Sequence, residues 1–131
     1  MYIHDDMKPQ KFSIIQRFKS FKYAFEGYKY LFSEEHNARV HLFFTALVII
    51  CGFIFRISNL EWIGVLIAIA LVFTTEILNT TIEKLADFVS PERNIKIKII
   101  KDLAAAAVFT SAIISVIIGL IIFIPKFIQL L

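Results

Sequence analysis

The sequence predicts an all-α membrane protein: an N-terminal amphipathic surface helix followed by three transmembrane helices. Three observations lead there. Of 131 residues, 58% are hydrophobic, with only 4 Gly and 3 Pro, and the mean hydropathy is +0.74, which is more apolar surface than a soluble domain of this size can enclose. Three apolar runs, at 40–55, 62–73 and 103–124, are separated by polar turns. The basic residues are also segregated, seven of the 14 Lys and Arg lying in 1–39 and five in 84–101.

Residues 1–10 read as a polar tail, and 11–131 as a single membrane domain. The first thirty residues carry charges throughout and contain no uninterrupted apolar stretch ahead of a small-residue cleavage site, so no cleavable signal peptide is expected. From 11 to 33, Phe18, Phe21, Phe25, Tyr28 and Phe32 recur at steps of three and four, with Lys19, Lys22, Glu26 and Lys29 between them. That is the pattern of an amphipathic helix. Its aromatic stripe and basic face suit the headgroup layer of an anionic membrane.

The first two apolar runs are shorter than the ~20 residues needed to cross the hydrocarbon, so each must borrow flanking residues. The spans are therefore expected at about 37–56, 60–88 and 98–124. The basic residues place the N-terminus and the second loop on the cytoplasmic side of a bacterial inner membrane. The FRISNLE turn and the C-terminal PKFIQLL then face outward, with Trp62 as an interfacial aromatic. Pro91, just after Ser90, should end the second span's helix, and IKIKIIKD should lead into the third. In that third span Ala107, Ser111, Ser115 and Gly119 recur every four residues, a small-residue face for close helix packing. The single cysteine, Cys51, excludes a disulfide framework or a cysteine metal cluster within one chain and reads as a buried membrane thiol.

The chemistry concentrates in TEILNTTIEKLAD, residues 75–87, where the second span is finishing. With Glu76 set at 0°, the 100° helical step puts Asn79 at about 300°, Thr80 at about 40°, Glu83 at about 340° and Asp87 at about 20°. These five polar side chains form one stripe on an otherwise apolar rod. Ionisable groups in a span are costly and usually functional. Glu76 and Glu83 are two turns apart, roughly 10 Å along the axis, which suits a division of labour. Glu83 is placed to help bind Mg²⁺, which takes oxygen ligands and completes its shell with water and substrate phosphates. Glu76, deeper and less hydrated, suits a general base acting on a hydroxyl in the lipid phase. Glu34, Glu35, Asn37, Arg39 and His41 cluster where the first span begins, and Lys101 and Asp102 open the third. A Lys is a good partner for phosphate. Blander readings stand beside these: His41 as a hydrogen-bonded interfacial residue, Lys96 and Lys98 as headgroup contacts, Asp102 as a helix cap. Neither GxxxxGK[ST] nor GxGxxG occurs, so any nucleotide must be held by side chains at the membrane surface. No nucleic-acid partner is expected.

EILNTTIEKLAD, KDLAAAAV and EEHNARVH, which occupy compatible positions along the chain, resemble the small integral-membrane lipid kinases of the prokaryotic diacylglycerol kinase and undecaprenol kinase family. The likeness runs from FKYAFEG to the third span. It implies transfer of the γ-phosphate of ATP, with Mg²⁺, to a membrane lipid alcohol without a phosphoenzyme. By the same resemblance Glu76 is the catalytic base and Glu35 and Glu83 are the metal ligands. Asn79, Asp87, Lys101 and Asp102 match residues of the family's nucleotide and phosphate site. Lys19 and Arg39 are the further candidates for nucleotide and phosphate, and the polar residues His41, Asn37 and Thr80 are assigned to the surrounding site. The family forms homotrimers with active sites shared between subunits, which would employ the small-residue face. EEHNARVH looks more like the undecaprenol kinase branch than the proteobacterial diacylglycerol kinase branch, which has a Glu at the place of His41, so undecaprenol is the favoured substrate. The competing class is a small oligomeric ion or proton carrier with the acidic stripe as its path. Against that reading, WIGVLIAIALVF offers no ionisable continuation outward.

Overall fold

The computed structural model describes residues 13–130. The tail at 1–10 and the first two residues of the expected surface helix lie outside that range. Four helices follow in order: α1 Ile14–Glu34, α2 His36–Ile54, α3 Asn59–Val89 and α4 Ile95–Ile128. The last three are each long and apolar enough to cross a membrane, and the chain is an integral membrane protein. α1 leaves Ile14, Ile15, Phe18, Phe21 and Phe25 exposed and buries only Leu31, as expected of a helix whose apolar face has no protein partner.

One residue separates α1 from α2. Glu35 adopts an extended backbone, φ −97° and ψ 114°, and its N–H donates to the Leu31 carbonyl at 2.9 Å. It ends one helix and begins the next, but its side chain makes no capping hydrogen bond. The carboxylate is thus left for a partner on another helix.

At the opposite end, α2 closes in a Schellman turn. The Ile57 N–H reaches the Gly52 carbonyl at 3.1 Å, and the Arg56 N–H reaches Phe53 at 3.2 Å. Arg56 takes the left-handed position, φ 48°, which glycine usually fills because a Cβ is strained there. Arg56→Gly is expected to stabilise the protein by about 0.5–1 kcal/mol, read as a higher denaturant midpoint. An unchanged or lower midpoint would mean that the arginine side chain supplies a compensating contact.

α3 starts with a capping box: the Glu61 N–H donates to Ser58 Oγ at 3.3 Å, and the Ser58 N–H donates to the Glu61 carboxylate at 2.6 Å. Glu61 also pairs with Lys126 of α4 at 3.0 Å, so one acid ties the turn before α3 to the far end of α4. Beside it Trp62 lies over Gly52, where an added Cβ would stand 2.6 Å from the indole. The expected interfacial aromatic is therefore half-buried against α2. Gly52→Ala must push the ring away from α2 and from Phe53, whose ring centroid is 5.0 Å distant, at a cost of about 1–3 kcal/mol. Thermal or denaturant unfolding checks this, and wild-type stability would show that the ring has room to move.

α3 and α4 form the main packed pair, with α2 leaning on α3. The face that α4 turns to α3 runs through Ala104, Val108, Ser111, Ser115, Ile118 and Ile122, alternating steps of four and three as in coiled coils. The expected four-residue repeat differs from this because each step of four drifts by about 40° around the helix. Ala107 consequently rotates out and is exposed. Ser111 and Ser115 serve contacts inside the chain, Ser111 Oγ to Thr75 Oγ1 at 2.8 Å and Ser115 Oγ to the Ala68 carbonyl at 3.2 Å. The middle of the small-residue face is thus occupied by α3, because only small side chains let these backbones approach closely.

α3 ends at Val89, immediately before Ser90 and Pro91. α4 begins earlier than expected, at Ile95, capped by Asn94 Oδ1 accepting from the Lys96 N–H at 2.8 Å. Asp102 therefore lies within the helix, and capping is not its role. α4 also continues through Pro125. The proline sits in the last turn, where losing one N–H leaves most of the helix intact.

Candidate functional site

The polar stripe of α3 faces inward at one end of the helical bundle, where α1 meets α2. Glu76 is 2% exposed and Thr80 is buried, Asn79 and Glu83 are half-buried, and Asp87 is exposed. The stripe thus grades from a dry end at Glu76 to a solvent-facing end at Asp87. A buried carboxylate costs several kcal/mol unless compensated. The compensation here is incomplete: Glu76 Oε2, Asn79 Oδ1 and Thr80 Oγ1 are buried without a hydrogen-bond partner. Three such atoms on one helix face single out this segment as the candidate site.

Four pairings run along this stripe. His41 of α2 brings Nε2 to 3.9 Å from Glu76 Oε2. Asn79 Nδ2 donates to Glu83 Oε1 at 3.2 Å, one turn along the same helix, which leaves the Asn79 carbonyl oxygen free. Lys84 Nζ lies 3.9 Å from the Glu35 carboxylate and 5.7 Å from the Tyr30 ring centroid, fastening the α1–α2 junction to α3. Lys101 of α4 donates to Asp87 at 2.9 Å. Glu35 and Glu83 are the further acids within Coulombic range of Glu76, and Lys101 is within that range of Glu83.

Residues from all four helices are therefore gathered at one end, but not every expected site residue joins them. Glu35, His41, Glu76, Asn79, Thr80, Glu83, Asp87 and Lys101 do. Asp102 pairs with Lys98 one turn back on its own helix and is exposed. Lys19, Asn37 and Arg39 are exposed, and among the described residues their side chains make no hydrogen bond or ion pair.

A model of the prokaryotic diacylglycerol kinase family matches residues 22–123. The chain belongs to this family. It is 38% identical over 121 residues to the undecaprenol kinase of Bacillus subtilis, covering 92% of this chain and 98% of that protein. It is also 33% identical over 113 residues to a diacylglycerol kinase of Synechocystis, covering 86% of this chain and 65% of that longer protein.

Within this family member, one residue that sequence reasoning overlooked is Lys84. By the same 100° step it falls at about 80° from Glu76, on the edge of the polar stripe, so the signal is present in the helical wheel. A second is the pair of Thr75 and Ser111, whose hydroxyls meet next to Glu76 between α3 and α4. Thr75 also bonds back to the Leu71 and Val72 carbonyls, each at 3.0 Å, and in doing so holds the backbone from which Glu76 projects. The sequence marks Ser111 only as one of the small residues of the third span and Thr75 only as the start of the polar segment, and nothing local pairs their hydroxyls.

The site borders two open spaces. A cavity of about 680 Å³ between α2, α3 and α4 is lined almost wholly by apolar side chains, with His41 among the lining residues. A groove of about 470 Å³ between α1 and α3 is bordered by Gly27, Tyr28, Tyr30, Thr80 and Lys84. Both spaces are mainly apolar, but the groove also carries Lys84, two tyrosines and two threonines on its lining.

Proposed function

We propose that this chain is a lipid kinase that transfers the γ-phosphate of ATP, in the presence of Mg²⁺, to the primary hydroxyl of a membrane lipid alcohol, undecaprenol in preference to diacylglycerol. The observation that carries the reading is Glu76, a carboxylate withdrawn from water with Oε2 lacking a hydrogen-bond partner, beside His41, which lines the apolar cavity, and one turn from Thr80, which lines the groove between α1 and α3. The preference for undecaprenol is supported by the nearly full-length likeness to the Bacillus protein of that name.

The residues at hand fit Mg²⁺. Among the described residues no group of three or more His, Cys, Asp or Glu forms an all-protein cage, but Mg²⁺ at a phosphate site needs only one or two carboxylates. Glu35 and Glu83 would hold it, both half-buried and both oxygen donors. Held there, Mg²⁺ would supply charge neutralisation on the triphosphate during transfer.

The chain's own residues do the rest. Glu76 accepts the proton of the lipid hydroxyl as that oxygen bonds to the γ-phosphorus and the bond to the β-phosphate breaks. Lys101, held towards α3 by Asp87, offsets phosphate charge. Asn79 offers its unpaired carbonyl oxygen, and Thr80 its hydroxyl, beside them. Arg39 and Asp102, exposed near that end, and Lys19, further along α1, are assigned to the outer part of the nucleotide, with Asn37 beside Arg39. The site lies on the cytoplasmic side of the inner membrane, by the segregation of Lys and Arg. A homotrimer with shared sites is supported by the family resemblance, and the exposed apolar faces of α2 and α4 leave area for helix–helix contact as well as for lipid. The carrier reading has less support, because the buried residues of α3 between Glu61 and Glu76 are Val65, Ala68 and Val72, which offer an ion no ligand.

The test is purified protein with labelled ATP, Mg²⁺ and either undecaprenol or diacylglycerol. Label transferred to undecaprenol at the higher kcat/KM supports the reading. Faster transfer to diacylglycerol removes the substrate preference, and transfer to neither lipid removes the kinase.

A further inference from the structure

A base that takes a proton at every turnover must also give it back, and Glu76 is 2% exposed. Its own helix offers no good acceptor. Asn79 and Thr80 are neutral, and Glu83 is engaged by Asn79. Glu35 is engaged by Lys84, and both of these acids are assigned to the cation. From α4, the cavity wall contributes no titratable group; His41 and Cys51, both on α2, are the titratable residues in that wall among the described residues. His41 has Nε2 3.9 Å from Glu76 Oε2, the oxygen that lacks a partner, and is itself 22% exposed.

We propose that His41 returns Glu76 to its basic form, receiving the substrate proton from it and passing that proton to water. The proposal rests on Glu76 being the base. The lipid O–H bond breaks and the proton bonds to Glu76. The Glu76 O–H bond then breaks as an N–H bond forms at His41 Nε2, and the imidazolium, in the second turn of α2 near the exposed Asn37 and Arg39, gives a proton to interfacial water. No oxidant or further reactant is needed. A shift of the imidazole by about 1 Å, or one bridging water, closes the 3.9 Å gap. Such distances are often longer before substrate binds. His41 is thus a positioning residue that acts through Glu76.

The experiment uses the full chain with lipid and ATP, comparing wild type, His41→Ala, His41→Gln and Glu76→Gln. Both His41 variants are expected to lose about 10- to 100-fold in kcat, with KM for lipid and for ATP unchanged. Imidazole added to His41→Ala should restore turnover, and more basic imidazoles should restore more of it. His41→Gln, with its side-chain space filled, should not respond. Wild-type kcat in either His41 variant, or a loss in a folded His41→Ala protein that no imidazole relieves, overturns the relay. If His41→Ala does not fold, kcat and KM of His41→Gln decide: lowered kcat at unchanged KM supports the relay, and wild-type kcat or a raised KM alone overturns it. Inactive Glu76→Gln beside fully active His41 variants removes only the relay, whereas active Glu76→Gln removes the base assignment as well.

Discussion

Glu76→Gln should bind ATP nearly as wild type does and lose lipid phosphorylation by about 10²–10⁴-fold, the usual range for removing a positioned general base. The amide keeps the shape of the side chain and one acceptor oxygen, so packing against α2 is preserved. What disappears is the ability to hold a proton. The same substitution should leave the unfolding midpoint unchanged or raise it, because it removes a carboxylate that the fold keeps 2% exposed with one oxygen unpaired. Residues retained at a cost to stability are typical of active sites. Nucleotide binding, phosphorylation and denaturant titration on one preparation give all three readings. Appreciable turnover by a well-folded mutant would take Glu76 out of the base role.

Glu83→Gln should act on the metal and leave the fold unchanged. Asn79 Nδ2 now donates to Glu83 Oε1 at 3.2 Å, and the glutamine carbonyl oxygen can accept the same bond. The local structure therefore persists while one negative charge is lost. The Mg²⁺ concentration for half-maximal activity should rise by about 10-fold or more, the scale on which even outer-shell partners of a metal site act. Activity should partly recover at high Mg²⁺, which distinguishes weakened binding from lost chemistry. A Mg²⁺ titration superimposable on that of the wild type would exclude Glu83 as a ligand. Removing this acid also takes one negative charge from the end of the bundle that holds Lys101, so a modestly lower KM for ATP at saturating Mg²⁺ is the expected side effect.

Glu76 and Glu83 stand out in the sequence because a set of polar residues at helical spacing is unusual at the end of an apolar run. The same periodicity indicates the amphipathic α1 and the three apolar helices. Other features are not legible there. The Glu61–Lys126 pair joins residues far apart in the chain, and nothing local to either residue predicts the other. Arg56 in a left-handed position gives no sequence signal either, since glycine is the residue that would normally announce such a turn.

Hydrophobic periodicity is a property of each segment alone, so the amino-acid order suffices for the number of apolar helices, the amphipathic helix ahead of them and the polar stripe on α3. Which end of that stripe is dry depends on how the helices meet. Their meeting also sets His41 against Glu76, Lys84 against Glu35 and Lys101 against Asp87, and turns Ser111 and Ser115 to α3 within the chain. Those outcomes depend on how each helix is rotated about its axis and shifted along its neighbour. Close packing of small and large side chains over several turns fixes these two quantities, and no single segment carries them.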